Sequence, residues 1–482
     1  MRLPAVQPMV LPTVLPSVLP MVNPVQHYAW GSSTAFAERF GWPVDEQPQA
    51  EIWMGAHPKA PSSVVLPGAE PSAVSLDQLL EDRPELAGAS GQLPFLLKVL
   101  AAAQPLSIQT HPTAARAAAG FAAEEQAGVP QEAPERMYRD PHHKPELIVA
   151  LEDFTALCGF RPLRESAEDL SALTRLLQAQ GESEAAEVLT GLVEQLCVQV
   201  EPGTVLEQVV ADVLGARRQE FCEVASALGR AVGALPEGQA PTSGVPESDA
   251  SVPDASVPGV SAAVVDTVRR ATTAFPEDPG VVVAVLLNRL DLSPGEALYL
   301  PAGNLHAYLH GLGVEVMASS DNVLRGGLTA KHVDVEELLE VTDCAVLPTP
   351  YCRPVAVQQT PVRQVSYRPD CAEFQLDRFD VPAEASSAAV ASADVSSAAT
   401  ADHAESTVVM GALELPAAAV LLCTSGTVEL SAAAGAEGST PEPTQHTVRL
   451  RPGESGLLTA GAQVTLQGVP GSQAFLAQPG NP

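Results

Sequence analysis

No uncharged apolar run long enough to cross a bilayer as a helix occurs in the 482 residues, so no membrane span is expected. Basic side chains are also scarce. Against 58 Asp and Glu stand 26 Lys and Arg, a formal charge of -32. Such a field repels phosphate backbones and argues against nucleic-acid binding, although a few local cations can reverse it inside a cleft. Cysteine is sparse too. Cys158, Cys197, Cys222, Cys344, Cys352, Cys371 and Cys423 form no C-x-x-C pair and are odd in number. They read as small buried hydrophobes of a reducing, cytoplasmic protein. Residues 8–22 are apolar, but proline recurs every four residues, only Arg2 adds positive charge, and no clear small-residue cleavage site follows. That is unlike a signal peptide. Residues 1–23 are expected to form a mobile, proline-rich leader or an edge segment.

What is present suits a folded chain. Apolar residues make up 46% against 17% charged, and the length exceeds what one hydrophobic core supports. Residues 24–162 mix short apolar runs with turn signals. Phe95 to Leu100 and Leu147 to Leu151 read as buried strands, with an alanine-rich helix from Ala114 to Ala127 between them. Residues 163–275 turn helical, as in Leu170, Leu173, Leu176 and Leu177, with a helix start expected at Ser166. The piece 236–260 is rich in proline and small polar residues and reads as a flexible loop. From 276 to 348 strand signals return. Val281 to Leu287 is expected as a strand, Tyr299 to Asn304 as a strand entering a turn, and a short helix near Val335. The last region, 349–482, reads as all-β with strands such as Ala418 to Cys423. It is interrupted by Ala/Ser/Thr-rich insertions at 383–407 and 432–445, expected to be mobile.

Four groups of residues could carry chemistry. In Ser107-Ile108-Gln109-Thr110-His111-Pro112, a strand would point Gln109 and His111 to one face, where they could share an ion or serve structure alone. In His142-His143-Lys144-Pro145-Glu146, the carboxylate stands at the mouth of a buried strand. There it needs a metal or a partner, or else belongs to a surface charge cluster. Pro294-Gly295-Glu296, then Leu300 to His306, resembles the second half of a cupin motif, in which the His points into a barrel and binds metal. Glu315 and the stretch Asp321 to Lys331 combine acids, cations and paired glycines, suited to an anionic ligand or to an ordinary solvated hairpin.

Together these groups resemble the type I phosphomannose isomerases. So do Tyr28-Ala29-Trp30-Gly31, Ala50 to Pro58, Leu157 to Pro162 and Pro279-Gly280-Val281-Val282-Val283. The resemblance implies a mainly β fold of two cupin-like jelly-roll domains with an inserted α-helical domain. It implies one zinc per chain on Gln109, His111, Glu146 and His306, and interconversion of mannose 6-phosphate and fructose 6-phosphate through an enediol-like intermediate. Arg325 would stabilise the oxyanion. Proton transfer would fall to His143, Lys144, Glu315 or Asp321, and the substrate phosphate to Ser107 and Lys331. The expected partner is a small sugar phosphate, with neither nucleic acid nor membrane, and the expected state is a monomer. Three departures stand out: His142 where the family usually has Asn, Ala330 in place of a common Pro, and the leader and long Ala/Ser insertions, which have no counterpart in the pattern. Rival readings are a non-haem iron oxygenase of the cupin class and a non-catalytic sugar-phosphate binder.

Overall fold

The computed structural model of the chain describes residues 15–66, 72–236, 260–358, 362–383, 407–432 and 446–480. The loops expected at 236–260, 383–407 and 432–445 lie almost wholly outside these residues. The molecule is mainly β, cupin-like, with helices concentrated in the middle of the chain. No described helix is long and apolar enough to cross a membrane.

One sheet carries the residues of interest. At its centre Phe95–Ala102 is buried at every position, flanked by Glu51–Met54 and by the long strand His306–Ala318. That long strand changes partners along its length. His306 to His310 runs opposite Cys158 to Thr155, whereas Gly311 to Ala318 runs opposite Ala102 to Phe95. The switch falls at Gly311, φ 128°, where a Cβ would stand 2.7 Å from the Asp153 carbonyl oxygen. Only glycine permits that approach. Across this change of partners the Tyr308 hydroxyl donates to the Glu315 carboxylate at 2.9 Å.

A second sheet is built from both ends of the chain. Here the proline-rich N-terminal stretch departs from the leader expected of it. Val18–Val22 is a strand held between Ser455–Leu458 and Ser63–Leu66. Proline forbids a helix but tolerates extended chain, and Val18 and Leu19 find a fully buried place. Residues 1–14 lie outside the described residues. Apolar side chains from both sheets, Phe95 and Leu97 with Val420 and Phe475, share one core.

The helices Leu163–Ala179, Ser183–Leu196, Pro202–Ala211, Arg218–Gly233 and Ala262–Ala274 pack as a block. Their common core also takes in Ile108, Leu157, Leu305 and Leu324, so the block buttresses the strands that carry the site. Two expectations change here. The helix expected from Ser166 begins at Leu163, straight after Pro162, and Ser166 is buried inside it. Asp169 reaches back to Arg161 at 2.7 Å instead of serving a helix start. The strand expected from Val281 to Leu287 is the helix Gly280–Leu286, followed by the strand Leu287–Leu292. All seven helix residues are buried. No polar face reveals the period, and a continuous apolar run reads equally as strand or helix.

Candidate metal centre and active site

Two strands supply Glu146 and His306 to the central cluster, and His111 follows directly on a third, short one. Gln109–Thr110 pairs with both His306–Ala318 and Leu324–Arg325, setting Gln109 opposite His306 and Arg325. Glu146 opens the strand Glu146–Ala150, whose register against the long strand sets it opposite Met317. The ligating atoms of His111, Glu146 and His306, all buried, lie within 4.8 Å of one another and could hold a metal ion. His111 Nε2 is 3.3 Å from Glu146 Oε1, and His306 Nε2 is 3.5 Å from Glu146 Oε2. The Gln109 side-chain amide stands 3.4 Å from His306 Nε2.

Both rings are oriented from behind. The Asn322 carbonyl oxygen accepts from His111 Nδ1 at 2.7 Å, and the Asn304 carbonyl oxygen accepts from His306 Nδ1 at 2.9 Å. Each bond fixes the tautomer that leaves Nε2 with a lone pair toward the cluster, the usual support of a metal-binding histidine. His111 Nε2 and Glu146 Oε2 are buried without a hydrogen-bond partner, a costly arrangement that a shared cation would relieve. Two imidazoles, a carboxylate and an amide oxygen suit zinc with a coordination position left for substrate. The residues present fit that ion.

Electrostatics agree with ligation. Burial pushes the His111 imidazole down to about 4, so it is neutral near pH 7. Burial works to raise Glu146, but Lys144 and then His111 outweigh it and hold the carboxyl well below its usual range. Lys144 Nζ lies 2.9 Å from Glu146 Oε1.

Beside the cluster runs an ionic network that motif reading missed. Lys98, buried in the central strand, is paired in register with Glu315 on one side and Trp53 on the other. Its ammonium lies 3.0 Å from Glu315, 3.5 Å from Glu51 and over the Trp53 ring. Burial pushes Lys98 down, but Glu315 and Glu51 overturn this and hold it above its ordinary value. Burial raises Glu315 despite Lys98. One signal was available: a single lysine inside the apolar run Phe95–Ala102, a position lysine occupies only when paired.

The other expected residues are spread around this centre. His143 Nε2 pairs with Glu373 at 2.7 Å, across to the C-terminal region. Asp321 pairs with Lys59 at 2.9 Å. The hydrogen bond from Lys59 and the nearby His57 outweigh burial and keep Asp321 below its ordinary range. Ser107 is half-buried ahead of Gln109, and Ala330 is exposed. His142 has an exposed side chain. Its backbone carbonyl is what the site uses, accepting from the Asn322 side-chain amide at 2.8 Å. The departure from Asn there leaves the clamp intact. Asn322, also missed by motif reading, ties this loop to His111.

Arg325 is half-buried, and among the described residues it has no carboxylate partner. Burial, then Arg139, lowers its pKa. Burial, then Arg325, Arg139 and Lys59, lowers that of Lys331. Arg325, Arg139 and Lys331, gathered with no carboxylate partner among the described residues in a chain of net charge -32, mark a place for an anion.

A mainly β, cupin-like molecule with a buried His/Glu/His cluster at its centre defines a metal-dependent cupin. Similarity to known proteins narrows this to one family. Residues 18–163 match the type I phosphomannose isomerase catalytic domain. The mannose-6-phosphate isomerase of Salmonella typhimurium is 39% identical over 324 residues, covering 65% of this chain and 72% of that protein. Mannose-6-phosphate isomerase 1 of Arabidopsis thaliana is 31% identical over 383 residues, covering 75% and 78%. A crystal structure of the Salmonella typhimurium enzyme bound to fructose 6-phosphate and zinc superposes with a TM-score of 0.70 at 30% identity. It covers 97% of this chain and all of that one. The chain belongs to the type I phosphomannose isomerase family.

Proposed function

We infer that this chain is a zinc-dependent aldose–ketose isomerase that interconverts mannose 6-phosphate and fructose 6-phosphate. One juxtaposition carries the reading. The buried cluster of His111, Glu146 and His306 stands within one strand of Arg325, a cation without a carboxylate partner. The family relation supports it. Zinc on Gln109, His111, Glu146 and His306 would supply Lewis-acid polarisation of the sugar oxygens at C1 and C2.

The chain's own groups do the rest. A proton must move between C1 and C2, with negative charge developing on oxygen in between. Arg325 keeps its charge at neutral pH and offers a forked donor to that oxygen. Lys144 Nζ, bonded to a ligand carboxylate, and the Glu315 carboxylate, shared with Lys98, are the buried groups suited to hold and pass the proton. His143 and Asp321 are engaged by Glu373 and Lys59 and are less free to do so. Lys331, with Ser107, takes the phosphate, and the acid-rich surface elsewhere repels it. We further propose a cytoplasmic monomer, the compartment being supported by seven cysteines that form no disulfide.

The test is His306→Ala. It should lose bound zinc and isomerase activity together, measured by elemental analysis and a coupled assay on mannose 6-phosphate. Full zinc occupancy in that variant would defeat the ligand assignment.

A further inference from the structure

Asp278 has no part in the reading above, yet its carboxylate grips the loop that carries Arg325 and Lys331. The loop leaves the Leu324–Arg325 strand by exchanging backbone bonds with Ile108: Gly326 N donates to the Ile108 carbonyl oxygen at 2.8 Å, and Ile108 N donates to that of Gly327 at 3.0 Å. It then turns sharply. Gly327 has φ 120°, and a Cβ there would stand 2.5 Å from Gly280 Cα. Leu328 follows with φ 52°, the only non-glycine residue in the left-handed region among the described residues. A leucine stays there only when its surroundings impose it.

Asp278 supplies that imposition. Oδ1 accepts from Leu328 N at 2.9 Å and Oδ2 from Thr329 N at 3.0 Å. Oδ1 also accepts from Gly280 N at 2.7 Å, at the start of the buried helix Gly280–Leu286. One carboxylate thus anchors the turn to the helical block, and Asp278 is itself only 9% exposed. Gly280 and Gly327 allow the two backbones to come that close.

We propose that Asp278 is a positioning residue for the isomerase reaction, holding the 325–331 loop in the left-handed turn that fixes Arg325 beside Gln109. The proposal rests on the isomerase reading. The Asp278 carboxylate bonds to Gly280, Leu328 and Thr329 and to none of the four ligand residues, so its loss should leave the metal in place.

The experiment compares wild type with Asp278→Asn, which is isosteric but presents an amide N–H₂ to a backbone N–H, and with Asp278→Ala. Measured well below the melting temperature and per zinc-loaded chain, kcat should fall about 10- to 100-fold, since small misplacements of catalytic groups are costly. Zinc should remain at one per chain. Hydrogen exchange of the Leu328 and Thr329 amides should quicken selectively. A purely structural role would lower melting temperature yet leave kcat of the folded, zinc-loaded enzyme unchanged, and that result overturns the proposal. Loss of zinc together with activity overturns it as well. Should Asp278→Ala fail to fold, Asp278→Asn decides alone. An inactive zinc-loaded wild type would bring down the isomerase reading, and this inference with it; an active wild type with an equally active Asp278→Asn sinks this inference alone.

Discussion

Burying His111 with no hydrogen-bond partner on Nε2 makes the metal-free protein sensitive to acid. Its imidazole is pushed down to about 4 by burial, from 6.5. Between those values the unfolded chain takes up a proton that the folded chain refuses. Stability therefore falls as pH drops through that window, by up to about 1.4 kcal/mol per pH unit for this one group. Burial lowers His57 and His310 too, which acts in the same sense. Glu146, held below its ordinary range, contributes stability above that range and loses it only at lower pH still. Urea midpoints of the zinc-stripped protein should fall steadily from pH 7 to pH 5; a flat profile would count against a neutral buried His111. Arg325 answers to kinetics instead. Arg325→Ala should cost about 10²–10³ in kcat, the usual loss for an oxyanion donor, with zinc still bound. Near-normal turnover in that variant would rule out the role.

At the scale of elements, Val18–Val22 is a structural strand and not a tether. Leu19 is wholly buried between two partner strands, so Leu19→Ala should destabilise by about 2–5 kcal/mol in equilibrium unfolding. A loss of less than about 0.5 kcal/mol would mean the segment is dispensable. This strand also shows where sequence reading runs out. Phe95–Ala102 and Ala114–Ala127 could be read directly, because a buried strand and an alanine-rich helix each carry their own composition signal. Val18–Val22 could not, since one of its two partner strands lies at the other end of the chain, with Leu19 opposite Leu457. Gly280–Leu286 could not either, because a helix buried all round has no amphipathic period.

At the scale of the molecule, the centre draws on three stretches of chain, with the helical block inserted between Glu146 and His306. Gln109 and His111 were legible as an alternating pair, and Glu146 as an acid opening an apolar strand. A lone lysine in an apolar run flagged Lys98, but its partners across the sheet, like the role of Asn322, which is partly a backbone carbonyl, emerge only through register and packing. Asp278 belongs with them: an acid before Pro-Gly has many uses, and only the fold brings Leu328 to it. The central claim is that this assembled site isomerises a sugar phosphate with one zinc. The direct measurement is a coupled isomerase assay on mannose 6-phosphate, run on protein as purified, after chelator treatment, and after zinc is restored. Activity should vanish with the chelator and return at one zinc per chain. Activity indifferent to the chelator, or none in the zinc-loaded protein, would contradict that claim.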